Sequence, residues 1–426
     1  MPRTRKKTTA PIEKHTIPTV PAAEQPYQVP ENWRWVRLLD SFDNLTDSKR
    51  KIQQKSYLEY GNIAVVDQGQ EIVGGYTNDE RISFTGNLPV IVFGDHTRCI
   101  KYVDFPFAQG ADGVKVLAPR KCYYPKAFYY ALINVDIPNM GYRRHYPLFK
   151  NYYIPLPPLA EQQRIVDRIE RLFAKLDEAR EKAQAVVDGF ENRKAAILHK
   201  AFTGELTKKW REERGIGMES WKTVHLEDVC NSIFDGDHMP PPKSERGIPF
   251  LVISNVNDGY LSYDNTRFVP HDYYEALSDT RKPKIGDLLY TLVGSYGIPV
   301  VVDNNRPFCF QRHMALLKPS NIDTYFLWYQ MQTNEVYNQA TNIATGTAQL
   351  TIPIKGLRKM KIISPIHNEQ LEIVHILDEI LLKLRQSRDL AESVIAQIDG
   401  MKKAILARAF RGELGTNDPS EASRNQ

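Results

Sequence analysis

The side chains with the most chemical reach in this sequence are short polar and basic clusters, and their types suit contact with nucleic acid better than catalysis. Lys49, Arg50 and Lys51, then His96 and Arg98, then Arg143, Arg144 and His145 fall in the first part of the chain. His238, then Ser295 and Tyr296, then Gln311, Arg312 and His313, then Thr347 and Gln349 fall in the second. Arg, Lys, Gln and His reach base edges, whereas Ser, Thr and Tyr hydroxyls suit phosphate oxygens. Asp235, Asp237 and His238 could be imagined as metal ligands, but with no second ligand cluster they read as a turn with an Asx cap, and no metal is expected. Catalytic motifs are missing. An amino-methyltransferase needs a Gly-rich cofactor loop and an Asn/Asp-Pro-Pro-aromatic motif. HMPPPK from His238 and PLPPLA from Pro155 lack the amide or carboxylate before the prolines. No Gly-x-x-x-x-Gly-Lys-Ser/Thr phosphate loop occurs. Cys99, Cys122, Cys230 and Cys309 lie far apart with no Cys-x-x-Cys pair, so they read as reduced core fillers. The chain itself is expected to carry no catalysis and no cofactor.

The elements that must position these clusters emerge from an internal repeat. Residues 157–206 and 365–414 align at a constant shift with about 19 of 50 positions identical, where chance gives roughly three. Apolar residues in both copies step by four and three. They are Ile165, Ile169, Leu172, Leu176, Val186 and Phe190 in the first, and Ile373, Leu377, Ile380, Leu384, Val394 and Ile398 in the second. A 3.5-residue apolar period sustained over about five heptads predicts coiled-coil helices. Prolines precede each copy (Pro157 and Pro158; Pro365) and glycines close it (Gly204; Gly412), as helix boundaries do. A helix of about 40 residues is a rod ~60 Å long, comparable with about 18 base pairs of DNA. The helical charges balance, so the natural partners of these rods are each other and helices of another protein.

Each rod follows a mixed segment of short β-branched and aromatic runs punctuated by turns, the pattern of a compact α+β domain. The two segments are kin: Trp33, Val36 and Leu38 match Trp221, Val224 and Leu226, and GNLPVIVFG from Gly86 echoes GDLLYTLVG from Gly286. FPFAQGADGVKVLAP from Phe105 likewise echoes RPFCFQRHMALLKPS from Arg306. Helices are predicted over 126–134 and 323–338.

IPLPPLAEQQRIVDRI with KAAILHKAFTGELTKKWR, repeated as SPIHNEQLEIVHIL with KKAILARAFRGEL, resembles the central and C-terminal repeats of type I restriction-modification specificity subunits. DGDHMPPPKSERGIPFLVISNV from Asp235, GDLLYTLVGSYG from Gly286 and ATGTAQLTIPIKGLRKMKI from Ala344 look like parts of their target-recognition domains. The likeness covers residues 29–414. The first segment departs from it, with GYRRHYPLF from Gly141 where the second has its Gly-Thr-Ala-Gln stretch. The resemblance implies an α+β chain of two target-recognition-type domains alternating with two long antiparallel coiled-coil helices in a pseudo-two-fold arrangement. The expected boundaries are a disordered basic extension (1–28), a first recognition domain (29–156), a central helix (157–207), a second recognition domain (208–364), a C-terminal helix (365–414) and a disordered tail (415–426).

It further implies that each domain reads one half of a bipartite, asymmetric site in double-stranded DNA. The helices would set the spacer and dock two methyltransferase subunits, to which restriction/translocase subunits are added. S-adenosylmethionine, ATP and Mg would then belong to those partners. The alternative is a specificity or scaffold subunit of another multi-subunit DNA-modification or defence complex.

Composition agrees with a globular chain. The 426 residues are 42% hydrophobic and 25% charged, which excludes wholesale disorder and fibrous repeats. No window approaches the ~18 unbroken apolar residues of a membrane span. The basic N-terminus has no apolar stretch behind it, so it is not a secretory signal and a cytoplasmic location is expected. The net charge of +5 is too small for unselective coating of nucleic acid, so any DNA contact must come from local clusters.

Overall fold

The structure is a computed structural model that describes residues 18–236, 241–347 and 349–421. Asp237 and His238 lie outside the described residues. The chain divides into two compact units, the first made of residues 1–183 and 393–426, the second of 184–392.

In the first unit the strands are β1 (Arg34–Arg37), β2 (Phe42–Asn44), β3 (Lys51–Ile52), β4 (Ile63–Val66), β5 (Gly75–Thr77), β6 (Val90–Gly94), β7 (Ile100–Val103), β8 (Phe107–Gly110), β9 (Val114–Pro119) and β10 (Tyr153–Leu156). The helices are α1 (Pro125–Asn134) and α2 (Leu159–Asp188). An antiparallel sheet has the order β2-β9-β6-β7, and a second sheet, β3-β8-β4-β5, mixes parallel and antiparallel pairs. Alternation along β6 explains why the first sheet is central. Ile91 and Phe93 pack with Phe42, Leu117 and the α1 residues Phe128 and Leu132, while Val90 and Val92 pack with Phe107 and Val116 on the opposite face. β1 and β10 pair as an antiparallel ribbon, Arg34 opposite Leu156, which closes the domain where Pro157 and Pro158 start α2.

The second unit repeats this plan. After α3 (Phe190–Phe202) and α4 (Lys208–Arg214) come β11 (Lys222–His225), β12 (Cys230–Asp235), β13 (Ile248–Leu251), β14 (Arg267–Val269), α5 (His271–Glu275), β15 (Leu288–Thr291), β16 (Pro299–Val301), β17 (Cys309–Phe310) and β18 (Met314–Pro319). Then follow α6 (Thr324–Gln330), α7 (Asn334–Ile343), α8 (Ile354–Arg358), β19 (Lys361–Ser364) and α9 (His367–Ala409). The sheet β12-β18-β15-β16 corresponds to β2-β9-β6-β7, and the ribbon β11-β19 to β1-β10. Along β15, Leu288 and Tyr290 face one cluster and Leu289 the other.

Several expectations are corrected. The central repeat carries one irregular residue: α2 ends at Asp188 and α3 begins at Phe190, but Gly189 between them keeps helical dihedrals and the i,i+4 hydrogen bonds to Ala185 and from Arg193, while α9 is continuous over 43 residues. The helix predicted over 323–338 is two, because the Thr333 hydroxyl accepts from Val336 N–H and caps α7. Neither chain end is disordered throughout. Val20 is buried, Thr19 bridges Val36, and the Tyr27 ring packs edge-on against Trp35. At the other end, Glu421 takes a two-pronged ion pair from Arg164.

Within the first unit α2 and the end of α9 run antiparallel, with Lys402 over Phe173 and Arg180 paired with Asp399. In the second, α3 and the start of α9 do the same, with Arg388 over Phe190. Of the predicted seam, Ile165, Ile169, Phe190, Ile373, Leu377 and Ile398 are buried, whereas Leu172, Leu176, Val186, Ile380, Leu384 and Val394 are only half-buried. Leu381 is buried beside Ile380, as expected where a 3.6-residue helix drifts against a 3.5-residue pattern.

Candidate nucleic-acid interface

In the first unit one buried carboxylate gathers three loops. Asp95, just past β6, donates its N–H to the Gly113 carbonyl (2.6 Å) and accepts His145 N–H on its own carbonyl (2.8 Å). Its carboxylate accepts Tyr146 N–H at 2.7 Å. The clusters at 96–98 and 143–145 thereby share one surface with the 111–113 turn. Lys51 joins them through an ion pair with Asp112. The Asp112 carboxyl is held below its usual range by Lys51 first, and then by Arg144 and His96, so all three positive or ionisable groups surround it.

The members of these clusters have different jobs. Arg143 and Arg144 are exposed and have no hydrogen bond or ion pair to the described residues, and Lys49 likewise has an exposed, unpaired ammonium. Arg50 shares itself between Asp47 and Thr85. His96 is fixed from behind by Gln68, whose side chain accepts His96 N–H and whose carbonyl accepts the Thr97 hydroxyl. One expected DNA contact, His145, is corrected, and Arg98 has a structural partner besides. His145 is fully buried, with Nδ1 2.9 Å from the Asp95 carbonyl and Nε2 accepting Met140 N–H at 3.1 Å. Those partners assign the proton to Nδ1 and leave no group for a base. Arg98 sits at φ 63° and donates to the Ile137 carbonyl at 2.8 Å, so it ties the loop to the end of α1.

In the second unit the backbone brings the predicted clusters together. Leu292 N–H donates to the His313 carbonyl (2.8 Å), and Gly294 N–H to the Leu350 carbonyl (3.3 Å). Thr345 and Thr351 exchange two hydrogen bonds across the polar loop. Ser295, Arg312, Thr347 and Gln349 are exposed on this surface. Burial, with Arg312 adding to it, pushes the His313 pKa below its usual value, so its ring is neutral at pH 7 and can both donate and accept. Tyr296 hydrogen-bonds Thr341 at 3.1 Å. Gly236 is confined to glycine, because a Cβ there would lie 2.2 Å from the Phe310 carbonyl, so the 235–236 turn presses directly onto the Gln311 segment. Among the described residues no three His, Cys, Asp or Glu side chains gather as a metal site.

A pair of polar anchors escaped the sequence reading. Glu161 and Glu369 are fully buried at the starts of α2 and α9. Trp33 Nε1 donates to Glu161 (2.7 Å) and Trp221 Nε1 to Glu369 (3.0 Å). The adjacent Gln162 and Gln370 each donate to the carbonyl five residues back, and each accepts a backbone N–H from its own domain, Tyr124 or Asp323. Each Glu-Gln pair thus welds a globule to its helix. The signal was present: Trp, Glu and Gln are identical in both copies at polar positions beside an apolar seam.

The family model described as "Type I restriction modification DNA specificity domain" matches residues 30–186 and 218–392. The EcoKI specificity subunit of Escherichia coli K12, a type I restriction enzyme component, is 26% identical over 269 residues, covering 61% of this chain and 57% of its own length. The aligned part of the chain thus spans little more than half of that relative. The crystal structure of the HsdS subunit from Thermoanaerobacter tengcongensis shares the fold, with a TM-score of 0.60 at 21% identity, covering 92% of this chain and 100% of that one. A chain from a structure on complex assembly and conformational transition of the type I R-M system gives 0.61 at 20% identity, covering 91% and 100%. With two matched segments that coincide with the two recognition-type domains and their helices, the chain belongs to the type I restriction-modification DNA specificity family.

Proposed function

We propose that this chain is the DNA-reading specificity subunit of a type I restriction-modification complex, each globular domain recognising one half of a bipartite, asymmetric site. The observation that carries this reading is convergence. In each unit, clusters far apart in sequence meet on one loop surface that presents exposed Arg, Gln, Ser and Thr side chains. Arg and Gln side chains there reach base edges or phosphates, and the hydroxyls suit phosphate oxygens. The two surfaces differ in composition, as an asymmetric site requires: the first is basic, the second mostly neutral and polar.

The helices set the spacer and dock two methyltransferase subunits, to which restriction/translocase subunits add. α9 leaves Leu371, Leu382, Leu390 and Met401 exposed, within about a third of its circumference, which suits helix packing by another protein. S-adenosylmethionine, ATP and Mg serve chemistry in those partners. No described helix is long and apolar enough to cross a membrane.

Co-expression with the methyltransferase encoded beside it, followed by genome-wide methylation mapping, tests the reading. Adenine methylation at one split, asymmetric motif is the expected result. A soluble complex that methylates nothing would overturn it.

A further inference from the structure

Each unit carries two parallel aromatic rings at the same point of its fold. In the first, His96 lies two residues past Gly94 and stacks on Tyr142, centroids 4.7 Å apart and planes 12° apart. In the second, Tyr296 lies two residues past Gly294 and stacks on Tyr337 at 5.6 Å and 10°. The inner rings are tied down, His96 by its contacts to Gln68 and the Tyr142 carbonyl, Tyr296 by Thr341. The outer rings stand in solvent: Tyr142 is 85% exposed and Tyr337 46%. The outer partners come from unrelated contexts, an irregular loop in one unit and helix α7 in the other, so the stack recurs where the local structure does not.

Tyr142 is held by little besides the stack, whereas the Tyr337 ring also lies against the Gly297 turn, where a Cβ would stand 2.9 Å from it. Arg143 and Arg144 directly follow Tyr142, and Lys51 and Arg144 flank His96 through Asp112. Beside the second stack lie the exposed Ser295 and Gln349, the latter's amide 3.3 Å from where a Cβ on Gly294 would stand. A positively charged or amide-bearing rim around an exposed aromatic ring is complementary to a polyanion with apolar sugar and base-edge surface between its phosphates.

We propose that Tyr142 and Tyr337 are the aromatic contacts of the two half-sites, each packing the exposed part of its ring on a base edge or deoxyribose of double-stranded DNA, with His96 and Tyr296 as positioning residues. This rests on the specificity-subunit reading and adds to it a non-ionic contact in each half-site. An aromatic contact releases no counterions, so its loss weakens binding without altering the salt dependence. Loss of a phosphate-bound cation lowers the slope of log K against log salt by about 0.9.

The test uses the full chain in complex with its methyltransferase, and a duplex carrying the motif found by methylation mapping. Tyr142→Leu and Tyr337→Leu are each expected to weaken binding about 5-fold or more, the lower end of what an aromatic ring contributes against single-stranded bases, with an unchanged salt slope. Each should relax methylation at one half-site only, and Tyr142→Phe and Tyr337→Phe should restore it. Circular dichroism melts serve as the folding control. Leucine variants that bind like the parent, or phenylalanine variants no better than leucine, would overturn the inference while leaving the specificity role intact. A parent complex that methylates no motif would instead overturn the role itself, and the inference with it.

Discussion

At the scale of single residues, the same side-chain type serves opposite purposes a few positions apart. Arg143 and Arg144 are free for phosphate or base, whereas His145 next to them is a buried strut. Arg143→Ala with Arg144→Ala is therefore expected to leave thermal stability unchanged and to lower the salt slope of DNA binding by up to about 2, measured by anisotropy titrations at several salt concentrations. His145→Ala should cost about 1–3 kcal/mol in urea unfolding, because it removes a fully buried ring and strands Met140 N–H, while the Asp95 carbonyl keeps the backbone N–H of residue 145. The two anchoring glutamates form a second contrast. Glu369 accepts from Thr207, Arg211 and Trp221, with Arg211 itself buried, so Glu369→Gln leaves a guanidinium without a counter-charge and should cost about 3–5 kcal/mol. Glu161 accepts from neutral Trp33, Asn417 and Thr416, and burial pushes its pKa up against those donors. A raised folded-state pKa means that its contribution is fully present below the unfolded value near 4.5 and is lost as pH rises through the folded value. The parent should thus gain stability relative to Glu161→Gln as pH falls from 7 toward that window, and a pH-independent difference in chemical denaturation would refute the assignment.

At the scale of elements, the helices face each other in a register that fixes where they can be lengthened. Arg180 meets Asp399, so one heptad inserted after Arg180 and another before Ile398 would keep both seams in phase. Seven residues add about 10 Å, equivalent to about three base pairs. Methylation mapping should find the same half-sites with a gap wider by about that amount; an unchanged gap would show that the helices do not act as a spacer. Much of this architecture was legible in the sequence because period and duplication report burial directly. The seam residues Ile165 and Ile373 and the kinship of β6 with β15 needed only repetition of pattern. The irregularity at Gly189 and the cap at Thr333 were harder, since each perturbs a continuing apolar pattern through one residue's backbone or hydroxyl. The sites were legible as clusters and not as members. Sequence shows that His145 and Arg98 are polar neighbours of exposed groups, but not that the fold brings the Asp95 carbonyl to the His145 ring and the Ile137 carbonyl to Arg98.

At the scale of the whole molecule, the first unit is built from separate stretches of chain and the second from one. In the second, the path from α3 through α4 to Trp221 is continuous, and it delivers Thr207 and Arg211 to Glu369 on the way. In the first, the equivalent surroundings of Glu161 are supplied by residues 30–33 and 410–421, held together without a covalent link. Asn417 bonds both Asn32 and Glu161, Asn32 donates to the Asp418 and Glu421 carbonyls, and the Tyr27 hydroxyl donates to Phe410. Deleting residues 415–426 removes the Asn417, Thr416 and Glu421 contacts at once, and leaves the Trp33 indole N–H as the side-chain donor to Glu161. The loss should be at least about 1–3 kcal/mol and should fall on the first unit alone. Hydrogen exchange is expected to rise in the β1–β10 ribbon and the adjoining start of α2, with the β11–β19 ribbon protected as before. Methylation by the truncated chain should relax at the half-site read by the first domain and stay faithful at the other. Equal loss of protection in both ribbons would mean that the units do not fold independently, and that the paired chain ends stabilise the molecule as one cooperative body.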